Sequence, residues 1–204
     1  TTPWTLIANV AICVNPDLAY IKAESMGYKF IVAESLAEKV LGEDFKVLET
    51  YKGSDLVGIQ YEQLMPFVKV EGKCHEVIAD NYVTAVDGTG IVHIAPAYGD
   101  DDNRVCQKNG IGFVNPVGED GCYTEGPWKG RLVTDKDLEI EIIKWLKEND
   151  KLFKKIKITH DYPHCWRCKS ALISYPKPAW YIKTTAYKDK IIEENNKINW
   201  YPAY

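Results

Sequence analysis

Along the first 95 positions, apolar residues come in short runs broken by glycine, proline and polar clusters, the pattern of many brief strands. Residues 10–14 form one such run, closed by Asn15-Pro16-Asp17. Runs at 20–23 and 28–32 flank Ser25-Met26-Gly27 and predict a hairpin. Residues 45–51 alternate loosely as a further strand, 53–58 read as a loop, and 59–61 as a strand or turn. Runs at 66–70, 75–79 and 82–86 are also β-rich.

Helical spacing is rarer. Residues 35–41 form a short amphipathic helix stopped at Gly42. The clearest helix is 134–149, with Leu138, Ile142, Trp145 and Leu146 on one face and Thr134 with Asp137 as a capping box. Residues 113–117 are apolar, 118–121 form a turn, 151–159 a basic β segment and 188–196 a last helix. Many short strands with few helices predict a β-rich α+β fold, with a closed or nearly closed, barrel-like core and flanking helices. Beyond residue 160 the texture shifts to prolines and a series of aromatics, which divides the chain into a domain at 1–160 and a segment at 161–204.

The stretch 88–104 concentrates chemistry. Gly88 and Gly90 permit a tight turn, and Ile91, Val92 and Ile94 make a buried strand that carries His93. Pro96 and Gly99 end it, and Asp100, Asp101 and Asp102 suit the cap and first turn of a helix running to Asn109. Such a junction can aim a histidine and a carboxylate into one pocket; it is equally the form of a capped helix after a core strand.

Composition adds limits. With 204 residues, 46% hydrophobic and 26% charged, the chain is an ordinary globular one. A net charge of −4 argues against a free-standing, non-specific nucleic-acid binder, though not against a module that receives one nucleic-acid end. No apolar run reaches the eighteen or so residues of a membrane span and no signal peptide is visible; the expected location, from the reduced type of the cysteines, is the cytoplasm. The opening Thr1-Thr2-Pro3-Trp4, without Met, reads as the start of an excised piece.

Four of the six cysteines, Cys13, Cys74, Cys106 and Cys122, have no framework spacing and read as reduced thiols. Cys165-Trp166-Arg167-Cys168 has the spacing of half a tetrahedral zinc site. Its complement is either His160 and His164, or cysteines outside this chain, or nothing at all. No Walker loop, serine-nucleophile elbow, metalloprotease helix or dinucleotide fingerprint occurs, so any hydrolysis would employ positioned water. A carboxylate such as Asp102 suits an ammonium-bearing substrate, through a bond of about 1.5–3 kcal/mol.

Three motifs stand in order: Thr1-Thr2-Pro3-Trp4-Thr5-Leu6 with Asn9; Gly88 to Pro96; and His160-Asp161-Tyr162-Pro163-His164-Cys165-Trp166-Arg167-Cys168. Together they resemble the editing insertion (connective polypeptide 1) of isoleucyl-tRNA synthetases, over nearly the whole chain. Residues 161–204, with Trp180-Tyr181-Ile182 and Asn199-Trp200-Tyr201-Pro202, resemble the segment returning to the aminoacylation domain. Trp4 favours the isoleucine enzyme; the valine enzyme's Thr-Thr-Arg-Pro-Glu-Thr is absent.

The resemblance implies hydrolysis, by water, of valine esterified to isoleucine tRNA. One methylene is worth only about 1–3 kcal/mol, a magnitude whose standard illustration is the isoleucine enzyme itself, so a second sieve is needed. By motif, Thr1 and Thr2 belong to the loop at the terminal adenosine, and Trp4, Asn9 and Tyr98 to substrate binding. His93 is the steric gate and Asp102 the anchor for the α-ammonium. Editing itself calls for no cofactor; zinc at Cys165 and Cys168 is expected only in the full-length enzyme. The expected partners are the 3′ end of the tRNA and the remaining synthetase domains. A non-catalytic scaffold for the tRNA end, or the corresponding domain of a valine or leucine enzyme, are the competing expectations.

Overall fold

A computed structural model describes residues 2–158 and 161–201. The chain opens with a 3-10 helix, Pro3–Ala8, and then forms β1 (Ala11–Val14), β2 (Ala19–Ser25) and β3 (Tyr28–Ala33). A 3-10 turn at Glu34–Leu36 leads into α1 (Ala37–Leu41), and β4 (Lys46–Lys52) follows. The chain continues through β5 (Glu76–Ala79), β6 (Ile91–Ile94), α2 (Asp100–Asn109), α3 (Lys136–Glu148) and α4 (Lys188–Asn195).

The strands form two three-stranded sheets rather than one closed sheet. In the first, β1 lies between a parallel β5 and an antiparallel β6, with Ile12 opposite His93. In the second, β2 lies between β3 and β4, both antiparallel. The β2–β3 turn works because Met26 (φ 52°) and Gly27 (φ 79°) both adopt left-handed conformations, which match the twist of a two-residue hairpin. Gly90 joins the sheets: a side chain there would stand 2.4 Å from the Ala33 Cβ, and the Gly90 carbonyl accepts from Tyr20 Oη at 2.8 Å.

Three buried clusters hold these parts. Val10, with Ala11, Cys13, Ile78 and Ile94 of the first sheet, packs on Val105 and Cys106 of α2. Tyr20, Ile21, Val32, Leu36 and Leu41 fill the space under the second sheet. Leu138, Ile142 and Leu146 of α3 pack on Trp4 and Ile7 of the opening turn, with Tyr123 and Trp128 alongside. The predicted apolar face of α3 is therefore the buried one, with Trp145 at its edge.

Several boundaries differ from expectation. Residues 66–70, 82–86 and 151–158 are not strands. Pro66 has no N–H for a ladder, and Lys151 instead turns its ammonium inward to the Leu64 carbonyl at 2.7 Å. The cap of α3 is Asp135, which accepts from Asp137 N at 2.9 Å, rather than Thr134. The cap of α2 is Gly99, so the three aspartates fill the first turn. The basic residue Lys151 also lies over the Trp145 ring.

Candidate active site

The opening turn, β1 and β6 converge on His93. Its Nδ1 lies 2.7 Å from Asn9 Nδ2, and its Nε2 lies 3.2 Å from Thr5 Oγ1. Thr5 Oγ1 in turn donates to the Thr2 carbonyl at 3.0 Å. Asn9 is buried; it also donates to the Ala11 carbonyl at 2.9 Å and accepts from Tyr61 Oη at 2.6 Å. The sequence-expected His93, Asn9 and Thr2 thus meet in one hydrogen-bonded chain, with Thr5 and Tyr61 as further members. Thr1 lies outside the described residues.

Burial holds the His93 imidazole down to about 4 from the usual 6.5, against a smaller opposing effect of its contact with Thr5. The ring is therefore neutral at physiological pH. Its one lone pair faces an amide N–H, so it has no free nitrogen with which to take a proton from water.

Asp102 is tied to the same stretch of chain by a backbone contact: its Oδ2 accepts from Ala95 N, two residues beyond His93, at 2.9 Å. The absence of a Cβ at Gly99 makes room, since an added one would sit 3.1 Å from the Asp102 carboxyl carbon. Burial raises the Asp102 pKa, with the Ala95 N–H pulling the other way and Asp101 adding a smaller rise. The helix that carries it is anchored from behind: Arg104 forks onto Asp80 at 3.1 and 3.2 Å, and Lys108 adds a third contact at 3.2 Å.

Trp4 and Tyr98 form an aromatic wall, their rings 4.6 Å apart. Tyr98 is fixed by Asn115 at 3.1 Å, and the Trp4 carbonyl by Tyr123 Oη at 2.5 Å. A separate cleft of about 570 Å³ opens between α2, Phe113 and residues 176–178, and its lining includes none of Thr2, Trp4, Asn9, His93 or Asp102.

Cys165 and Cys168 lie on a tight turn closed by Cys165 N to the Ser170 carbonyl (2.8 Å) and Lys169 N to the Cys165 carbonyl (2.9 Å), with Lys169 at φ 61°. Hydrogen bonds from Ser170, then the neighbouring Cys165, lower the Cys168 thiol to about 7. That thiolate character and spacing fit two ligands of a zinc site. His164 Nδ1 is bonded to the Tyr162 carbonyl at 2.8 Å, an arrangement that leaves Nε2 free, and His160 is outside the described residues. Among the described residues, no group of three or more His, Cys, Asp or Glu is placed to hold a metal ion.

No family model matches the chain. It is 44% identical over 204 residues to an isoleucine–tRNA ligase of Clostridium tetani, aligning 99% of this chain with 20% of that one. The corresponding proteins of Clostridium novyi and Bacillus thuringiensis are each 47% identical, again over essentially all of this chain and a fifth of theirs. The chain thus spans about a fifth of the length of these relatives. In fold it is similar to GlLeuRS-CP1, with a TM-score of 0.58, 18% identity, and 76% of this chain and 82% of that chain covered. It is also similar to the editing domain of the P. knowlesi cytosolic leucyl-tRNA synthetase, with a TM-score of 0.55, 13% identity, and 74% and 80% covered.

Proposed function

Because the chain corresponds end to end to a segment of isoleucyl-tRNA synthetases and has the fold of a synthetase editing domain, we propose that it hydrolyses valine mistakenly esterified to isoleucine tRNA. The observation that supports this reading is the hydrogen-bonded chain from Thr2 through Thr5 and His93 to Asn9, with Asp102 bonded to the backbone two residues beyond His93 and Trp4 set against Tyr98. The ester's α-ammonium is held by Asp102, whose Oδ2 is taken by Ala95 N–H. The aminoacyl side chain lies toward His93 and is measured by its fixed ring. The ribose end meets the Thr2–Thr5 turn, where hydroxyl and carbonyl groups are presented.

Attack on the ester carbonyl is by water, which the site positions rather than deprotonates through His93. An imidazole whose two nitrogens are both engaged serves as a wall of constant size. Valine fits beneath it; isoleucine, one methylene longer, does not. No cofactor enters this chemistry.

Residues 161–201 form the return to the remaining synthetase domains, which are one partner of this chain; the aminoacylated 3′ end is the other. Trp180, Tyr181, Trp200 and Tyr201 are almost wholly or largely exposed and supply the apolar surface such a contact would bury. In the complete enzyme, Cys165 and Cys168 hold one zinc ion together with two ligands from outside this chain. No helix is long and apolar enough to cross a membrane, and a cytoplasmic location follows from the translational role.

The test is a deacylation assay with isoleucine tRNA carrying valine or isoleucine. Release of valine well above the rate for isoleucine is expected. Binding of the charged tRNA with no release of either amino acid, in the complete synthetase as well as in this chain, would instead establish a non-catalytic scaffold.

A further inference from the structure

We propose that Tyr61 is a positioning residue which, together with the Ala11 carbonyl, locks the Asn9 carboxamide and so holds His93 as its Nε2–H tautomer, directed at the threonine turn. The consequence for selectivity rests on the editing role; the hydrogen-bond assignment does not.

The direction of every bond in this chain can be worked out. A backbone carbonyl only accepts, so the Asn9 atom 2.9 Å from the Ala11 carbonyl must be Nδ2. The second Nδ2 hydrogen then points at His93 Nδ1, 2.7 Å away, which must be an acceptor. The ring proton is therefore on Nε2. The other end agrees. Thr5 has a single hydroxyl hydrogen, and the Thr2 carbonyl at 3.0 Å takes it. Thr5 Oγ1 accordingly accepts from His93 Nε2–H at 3.2 Å.

Tyr61 begins the sequence. Its hydroxyl is 2.6 Å from Asn9 Oδ1, and among the described residues it is the donor to that buried oxygen. Burial raises the Tyr61 pKa well above its usual value, which keeps the hydroxyl protonated and donating. The ring is held independently of this bond: Tyr61 N donates to the His75 carbonyl at 2.9 Å, and the two rings meet edge to face at 5.8 Å. Removal of the hydroxyl alone would leave the scaffold in place and the Asn9 oxygen without a donor. A buried amide oxygen in that state regains a partner only by rotating, and rotation withdraws the N–H from His93 Nδ1.

Isotope-labelled histidine in the 204-residue chain reports the ring directly, with His93 assigned by its loss in His93→Ala. At neutral pH the wild type should give two widely separated ring nitrogen signals of a fixed, neutral Nε2–H form. In Tyr61→Phe the two should move toward one another as the Nδ1–H form becomes populated, while thermal unfolding stays cooperative. An unchanged pair of signals in folded Tyr61→Phe would overturn the proposal, as would a wild-type ring that is cationic or protonated on Nδ1. Should Tyr61→Phe not fold, the wild type still decides: a slowly exchanging Tyr61 hydroxyl proton with a nuclear Overhauser contact to the Asn9 amide supports the assignment, and a rapidly exchanging one without that contact refutes it. These measurements involve no tRNA. A chain inactive on every aminoacyl-tRNA would defeat the editing role and leave this assignment intact.

Discussion

Replacement of His93 by alanine separates a wall from a base, and the structure fixes what each would do. With a pKa near 4, the imidazole is only about 1% protonated at pH 6, whereas an ordinary histidine at 6.5 would be about 76% protonated. The rate of valine-ester hydrolysis by the wild type should therefore carry no inflection near pH 6.5. In His93→Ala, the contacts to Asn9 and Thr5 are lost, and the Asn9 N–H and Thr5 hydroxyl lose their ring partner. That costs about 1–3 kcal/mol, a burden that a domain of ordinary stability withstands. The space vacated by the ring exceeds one methylene, whose transfer is worth about 0.8 kcal/mol, so the isoleucine ester should now enter. Steady-state deacylation of the two esters from pH 5.5 to 8, with wild type and variant side by side, measures all of this. A gate predicts that isoleucine release rises toward the valine rate. Equal loss of both activities in a folded variant, with a wild-type inflection near 6.5, would refute the reasoning.

Asp102→Asn retains an acceptor for Ala95 N and removes only the charge, so valine-ester hydrolysis should fall about 10- to 150-fold in kcat/KM, matching a lost charge-assisted bond of about 1.5–3 kcal/mol; unchanged kcat/KM, with Asp101→Ala inactive, would move the anchor to the neighbouring carboxylate. Acid should destabilise the fold in two stages followed by equilibrium denaturation. His93, lowered in the folded state, loses stability as pH falls from about 6.5 through 4, about 3 kcal/mol in all; Asp80, held to about 2 by Arg104, loses its share as pH falls from about 4 through 2. His93→Gln should remove the first stage and keep the second. Zinc should bind this chain weakly and be lost to mild chelation, while the complete synthetase retains one ion per molecule by elemental analysis; chelation-resistant stoichiometric zinc in the 204-residue chain would mean that its own residues complete the site.

Local signals announced α3 by apolar spacing that matches the face it buries, α2 by its acidic first turn, and the hairpin by its Met26-Gly27 turn. Leu138, Ile142 and Leu146 all point into the cluster under Trp4. The same kind of signal failed at 66–70, 82–86 and 151–158, since β-rich composition describes fitness for a pleated surface and cannot supply a neighbouring strand. Motif spacing alone gave no contact between His93 and Asn9, which stand 84 positions apart and are hydrogen-bonded in the fold, nor between Trp4 and Tyr98. Thr5 was within the quoted motif but carried no separate signal; its hydroxyl matters through a histidine 88 positions away. Tyr61 had none, lying in a stretch that reads as a plain strand or turn, and only the folded chain brings its hydroxyl to Asn9.

The support beneath Trp4 has a bearing on how the protein is made. Its carbonyl is bonded by Tyr123 and its ring shares a cluster with Leu138, Ile142 and Leu146, so the first turn of the chain rests on residues translated more than a hundred codons later. A nascent chain that has emerged only through α2 already holds Asn9, His93, Asp102 and the Tyr98 partner of the tryptophan, yet it lacks Tyr123, Trp128 and the α3 side chains of the same cluster. The first sheet with α2 can thus assemble before the opening turn receives its full support. Until α3 has been synthesised, the opening turn goes without the part of its support that Leu138, Ile142 and Leu146 supply, so its final seating is a late event in the making of the chain.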